Sequence, residues 1–143
     1  MSEENKAIAR QGFEEAWSKG NLAVIAEIVG PNFVNHDPAN PGVHGPEGFK
    51  QLVNMYRTAF PDTQFTIEDQ MADGDKVVTR WTARGTHQAE LMGVAPTNKQ
   101  VTVTGISIDR IVGGKIEESW VNWDTLGMMQ QLGVVPGPGQ GGE

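Results

Sequence analysis

The chain has no cysteine. This rules out disulfides, thiolate nucleophiles and cysteine-bound zinc, and it suits a cytoplasmic location. No apolar stretch approaches the ~20 residues of a membrane helix. The first residues, Met1 to Lys6, show no basic segment followed by an apolar run. Neither a membrane span nor a signal peptide is therefore expected. Basic residues are few and scattered, 11 against 18 acidic ones for a net charge of -7, so no nucleic-acid partner is expected. The acidic excess favours solubility. The three histidines, His36, His44 and His87, are too dispersed for a zinc motif, and no metal site is predicted. Gly-x-Ser-x-Gly elbows, Walker loops and dinucleotide fingerprints are missing as well.

What is present reads as one domain over residues 1–134, followed by a Gly/Pro-rich tail over 135–143 with no core-forming residues. Ala9, Phe13, Ala16 and Trp17 fall on one stripe and predict a helix over 3–19. Asn21 can cap a second short helix, ended by Gly30-Pro31. A short extended piece from Asn32 leads into a Pro/Gly-rich loop. Pro46 then opens a third helix whose stripe is Phe49, Leu52, Val53, Tyr56 and Phe60. From residue 64 the period changes to two. Strands are predicted over 64–71, 76–87, 101–112 and 115–124, with a hairpin at Asp73-Gly74-Asp75. The segment 88–100 is a longer connection, mobile or packed over the site mouth. Residues 125–132 form a closing helix. Helices first, then antiparallel strands, then a helix is an α+β layout: three N-terminal helices on one face of a curved antiparallel sheet, with a pocket between them.

The stretch from Gly114 to Gly133 organises the rest. If residues 115–124 are extended, Ile116, Glu118, Trp120, Asn122 and Asp124 share one face. That face starts apolar and ends polar, which suits a pocket wall better than a core strand, because unpaired buried polar groups are costly. The opposite face carries Val121 and Trp123, and covering it by a second copy predicts a homodimer, with a tetramer as the alternative.

Several motifs resemble those of one family. They are Asn35-His36-Asp37-Pro38, Gly45-Pro46-Glu47-Gly48-Phe49 and Arg80 through His87. Gly105-Ile106 to Arg110, Gly114-Lys115-Ile116 to Trp120, Trp123-Asp124 and Gln131-Leu132-Gly133 complete the set. In order and spacing they resemble the SnoaL-like polyketide cyclase, or ester cyclase, family of the nuclear-transport-factor-2-like superfamily, over roughly residues 5–133. The resemblance implies a cone-shaped α+β fold and cofactor-independent, metal-free closure of a ring by intramolecular aldol chemistry on an aromatic polyketide methyl ester. It also implies that Asp124 is the general acid/base. Arg110 then occupies the place of a basic side chain near that acid, and His36 lies near the pocket.

Each of these residues has a plainer reading. Asp124 can be the N-cap of the last helix. Arg110 can pair at the surface with Asp109 or Glu117. His36 and His87 can be structural hydrogen-bonding residues, and Glu118 a solvated or arginine-paired carboxylate. Trp81 and Trp120 can be core aromatics or flat walls for a ring-shaped ligand. Tyr56 can pack or offer its hydroxyl, and Asn122 can donate to a carbonyl. The expected site is thus Asp124, His36 and Arg110 for catalysis, with Trp81, His87, Trp120, Asn122 and Tyr56 around a small hydrophobic or aromatic ligand. A noncatalytic ligand-binding or dimerisation domain, or an isomerase or dehydratase of the ketosteroid-isomerase kind, would use the same pocket.

Overall fold

In the computed structural model, which describes residues 2–136, the first apolar stripe is delivered by two helix geometries. α1 (Ser2–Gln11) is an α-helix, and Gly12–Ser18 continues it as a π-helix. The wider π turn departs from the single α-helix expected over 3–19. It places Gly12, Phe13 and Trp17 together on an inner wall. Arg57 closes its end by donating from Nη1 to the carbonyls of Trp17 at 2.8 Å and Ser18 at 2.9 Å. α2 (Ala23–Ile28) runs directly into β1 (Val29–His36), a longer strand than the piece expected from Asn32. α3 (Gly45–Ala59) carries Pro46 in its first turn, where a missing N–H costs nothing, and buries Phe49, Leu52 and Val53.

β2 (Gln64–Asp73), β3 (Lys76–Thr86), β4 (Gln100–Val112) and β5 (Lys115–Trp123) follow, and α4 (Thr125–Leu132) closes the chain. The sheet order is β1-β5-β4-β3-β2. β2 to β5 form the expected antiparallel meander, whereas β1 pairs parallel with β5. A parallel pair needs a long crossover, here everything from α3 to β4. The helices lie on one face of the sheet, which is the α+β layering read from the element order. The Gly/Pro tail expected from residue 135 falls, beyond residue 136, outside the described residues. Among the described residues no helix is long and apolar enough to cross a membrane.

Two irregularities decide which side chains face inward. β4 is regular: Val101, Val103, Gly105, Ser107, Asp109 and Ile111 are buried in strict alternation. β5 is not. Ile111 pairs with Ile116 but Arg110 pairs with Glu118, so β5 carries one extra residue, Glu117, as a bulge. Gly30 of β1 makes room for it, since a Cβ there would sit 2.4 Å from Glu117 Oε1. Side-chain direction inverts across a bulge. Ile116 faces inward, and beyond the bulge Ser119, Val121 and Trp123 do so too. Ile116, Glu118, Trp120, Asn122 and Asp124 therefore do not form one face. Glu118, Trp120 and Asn122 point away from the helices, while Val121 and Trp123 point toward them.

The interior divides into two clusters. One joins Val24, Ile25, Ile28, Phe33, Val53, Val77 and Ile111. The other joins Phe60, Trp81, Leu91, Val101, Val103, Met128 and Leu132. The connection 88–99 is packed: Leu91 is buried in the second cluster, and Gln88 N–H donates to the Ala59 carbonyl at 2.8 Å.

Candidate active site

A cavity open to solvent lies between the π-helix, α3 and the inner face of the sheet. Its wall is largely aromatic. Trp17 meets Phe65 at 5.3 Å between ring centres, Phe65 meets Trp81 at 5.0 Å, and Tyr56 meets Trp123 edge-on at 6.0 Å. Such flat apolar walls suit a planar ring system.

One polar group in the lining comes from the strands. Asp109 and Ser119 stand directly opposite each other on β4 and β5, and the Ser119 hydroxyl donates to Asp109 Oδ1. Asn35 of β1 continues this row beyond Ser119. Asp109 is 7% exposed, and burial pushes its carboxyl up to about 6, against the opposing pull of the Ser119 hydrogen bond. Desolvation penalises the charged form, which is how a carboxylate becomes a base useful near neutral pH. Two residues earlier on β4, Ser107 accepts a hydrogen bond from the Trp81 indole N–H at 3.0 Å.

A second polar group joins the end of β1 to α3 and β5. Asp37 Oδ1 accepts from the Ala39 N–H at 2.9 Å, and its Oδ2 accepts from Asn40 Nδ2 at 2.9 Å and Trp123 Nε1 at 3.2 Å. Asn40 also reaches the Tyr56 hydroxyl at 3.0 Å. Burial pushes the Tyr56 phenol up to about 12, so it stays a neutral hydrogen-bonding group. Asp37 accepts hydrogen bonds from Ala39, Asn40 and Trp123, whereas among the described residues Asp109 accepts from Ser119 alone.

Of the residues expected from the sequence, Trp81 and Tyr56 line this cavity. His36, Arg110, Trp120 and Asn122 lie on the opposite face of the sheet. Glu118 joins His36 Nε2 at 2.7 Å and Arg110 Nε at 3.3 Å, and the His36 ring stacks on Trp120 at 5.4 Å. The hydrogen bonds of His36 and Arg110 lower the Glu118 carboxyl from its ordinary value. Trp120, Asn122 and His36 border a shallow groove of that outer face, not the aromatic cavity. The β5 bulge is the physical reason for the placement of Trp120 and Asn122. Arg110 takes the outer phase of β4, so it meets neither Asp109 nor Asp124. His87 is fully buried outside the lining: its Nδ1 accepts from the Thr97 N–H at 3.2 Å, and its ring packs on Phe60 at 5.5 Å.

Asp124 is exposed and caps α4, its Oδ1 accepting from the Gly127 N–H at 2.8 Å. It does not line the cavity. Replacing it by alanine is expected to cost about 1 kcal/mol of stability, a lost cap, and to leave turnover within about twofold. Thermal melts and steady-state kinetics on the same variant check this, and a loss of turnover without a loss of stability would contradict it. The sequence reading passed over Asp109 except as a surface partner of Arg110. The signal was present in the alternation of β4, where Val101 and Val103 fix the phase that also contains Ser107 and Asp109.

Comparison with known proteins adds to this geometry. The model of the SnoaL-like polyketide cyclase family matches residues 7–132. The chain is 29% identical over 120 residues to nogalonic acid methyl ester cyclase of Streptomyces nogalater, covering 82% of this chain and 90% of that protein. It is 30% identical over 122 residues to an aklanonic acid methyl ester cyclase of Streptomyces peucetius, covering 83% and 84%. Among solved structures, a proposed polyketide cyclase from Acidithiobacillus ferrooxidans superposes with a TM-score of 0.83 at 33% identity, covering 92% of this chain and 95% of that one.

Proposed function

Because this chain belongs to the SnoaL-like polyketide cyclase family, we propose that it is a cofactor-independent cyclase closing a ring by an intramolecular aldol-type reaction on an aromatic polyketide ester, with Asp109 as its acid/base. The observation that carries this reading is Asp109, a buried carboxylate in the lining of an aromatic-walled cavity, whose pKa burial pushes up to about 6.

The step follows from that placement. Ionised Asp109 takes a proton from a carbon next to a carbonyl. The C–H electron pair becomes the enolate double bond, and the carbonyl π pair moves onto oxygen. The enolate carbon then attacks a second carbonyl of the same molecule, forming the C–C bond. The resulting alkoxide takes the proton back from Asp109, so substrate and product are isomers. The wall formed by Trp17, Phe65 and Trp81 holds the rings flat and raises the effective concentration of the two reacting ends. Ser119 keeps Asp109 oriented.

The test uses nogalonic acid methyl ester and aklanonic acid methyl ester, the compounds in the names of the two curated relatives. Conversion is read as a product of unchanged mass and new retention time. Binding of either ester without conversion would favour a ligand-binding domain and overturn the enzymatic reading.

The same reading includes a homodimer. On the outer face one row crosses all five strands: His36, Trp120, Ile108, Val78 and Met71. Ile106 and Met71 are 49% and 59% exposed there. This row is flanked on one side by Glu118, Arg110 and Lys76 and on the other by Arg80 and Asp69, so both borders carry charges of both signs and suit a second copy of the same face. Light scattering is expected to give twice the chain mass for the wild type and the chain mass for Ile108→Asp. A monomeric wild type would remove this part of the reading.

A further inference from the structure

We propose that Ser107 is the hydrogen-bond donor to the substrate oxygen that gains charge during the reaction, and that Trp81 is the positioning residue that aims it. This rests on the reading of Asp109 as base and deepens it. Ser107 and Asp109 are two residues apart on a regular strand, so both present their side chains to the cavity. The reacting carbon and its carbonyl oxygen are neighbouring atoms of one molecule, and a base and a donor at adjacent inward positions match that spacing.

The two serines of the site have different duties. Ser119 gives its proton to Asp109 and has none left for a ligand. Ser107 instead accepts, at 3.0 Å, from the Trp81 indole, a group that can only donate. With that lone pair occupied, the Ser107 proton turns elsewhere, and it has no protein acceptor among the described residues. Ser107 is 5% exposed and lines the cavity. A buried donor without an acceptor is complete only when a ligand oxygen arrives. Trp81 packs against Phe65 at 5.0 Å and Phe13 at 6.3 Å, contacts that favour this position of its ring. The donor is thus aligned before charge develops, the arrangement that stabilises an oxyanion most effectively. Asn35 also lines the cavity, but among the described residues no side-chain hydrogen bond holds its amide in one orientation.

Two measurements test this. The first is binding of 2-naphtholate, a planar oxyanion, in buffer at about pH 10.5 where the naphthol is ionised, against naphthalene, its uncharged frame, to Asp109→Asn and to Asp109→Asn/Ser107→Ala. Naphtholate affinity is expected to fall about tenfold on loss of the hydroxyl while naphthalene affinity stays unchanged. Equal naphtholate affinity would overturn the proposal. The second is turnover of the aklanonic ester. Ser107→Ala is expected to lower kcat roughly 100-fold with KM within about threefold, and Ser107→Thr to restore most of it. Trp81→Phe should lower kcat about tenfold, and the double variant should be no slower than Ser107→Ala alone. Multiplying losses would remove Trp81 from its positioning role. A loss in Asn35→Ala with none in Ser107→Ala would move the donor to Asn35. Retained turnover in Asp109→Asn together with a loss in Ser107→Ala would sink the base assignment and leave the donor standing.

Discussion

Asp109→Asn is expected to lose turnover and gain stability in the same protein. As a base with a pKa near 6, Asp109 should give the wild type a kcat/KM that rises between about pH 5 and 7 and then levels. The asparagine variant cannot accept the proton, and a loss of about 10²- to 10⁴-fold follows. The stability effect has a definite sign. Folding raises this carboxyl above its ordinary value, so between pH 4 and 6 the folded chain binds more protons than the unfolded one. Stability therefore falls as pH rises through that window, and the full penalty of a buried charge is present above it. The gap between about 6 and the ordinary value near 4 corresponds to roughly 3 kcal/mol. Asparagine keeps an oxygen that can accept from Ser119 and carries no charge. The variant should melt several degrees above the wild type at pH 7.5, and the difference should close by pH 4. Thermal melts across pH 4–8 beside kinetics decide it. A variant that is inactive and less stable at every pH would mean that Asp109 holds the fold together and does no chemistry.

A gain of stability on removing a polar group would mark a site kept for function, and the candidate site is only half legible in the sequence. Helix stripes and strand alternation carried the element order, because 3.6- and 2-residue periods are imposed by the backbone itself. The closing helix 125–132 and the hairpin at Asp73-Gly74-Asp75 coincide with observed elements. What the periods could not carry was their own interruption. One extra residue at Glu117 reverses every side chain after it, and neither Glu117 nor Glu118 is chemically distinctive enough to say which is the extra one. Trp120 and Asn122 were expected inside for that reason, and Val121 and Trp123 outside. The π turn at Gly12–Ser18 is a similar lapse of period, and the parallel pairing of β1 with β5 depends on contacts far apart in the chain. Asp124 shows a further limit. A residue that suits a helix cap and a catalytic acid equally well is decided by whether its surroundings are dry, and dryness belongs to the fold.

Gly105→Ala is expected to damage the fold and the site by one displacement. Gly105 stands opposite Trp81 on β4, and a Cβ added there would lie 2.3 Å from Trp81 Cζ2 and 2.6 Å from Cη2. The glycine is needed for close approach: the indole lies flat across the strand and reaches Ser107 past the missing side chain. The clashing atoms belong to a rigid ring fixed by Phe65 and Phe13, so the methyl group cannot be absorbed by a rotamer change. Overpacking of this kind costs about 1–3 kcal/mol, which lowers Tm by several degrees in a domain of this size. A ring displaced into the cavity that it lines would occupy substrate volume and give up the hydrogen bond to Ser107. Turnover should fall at least about tenfold, with a change in tryptophan fluorescence marking the moved indole. Gly105→Ala combined with Trp81→Phe separates the two effects. The smaller ring makes room for the methyl group and should recover much of the Tm, but without an indole N–H it leaves Ser107 unaimed, and turnover should stay low. Wild-type Tm and turnover in Gly105→Ala would show that the indole has room elsewhere. Recovery of turnover along with Tm in the double variant would show that Trp81 serves as packing alone.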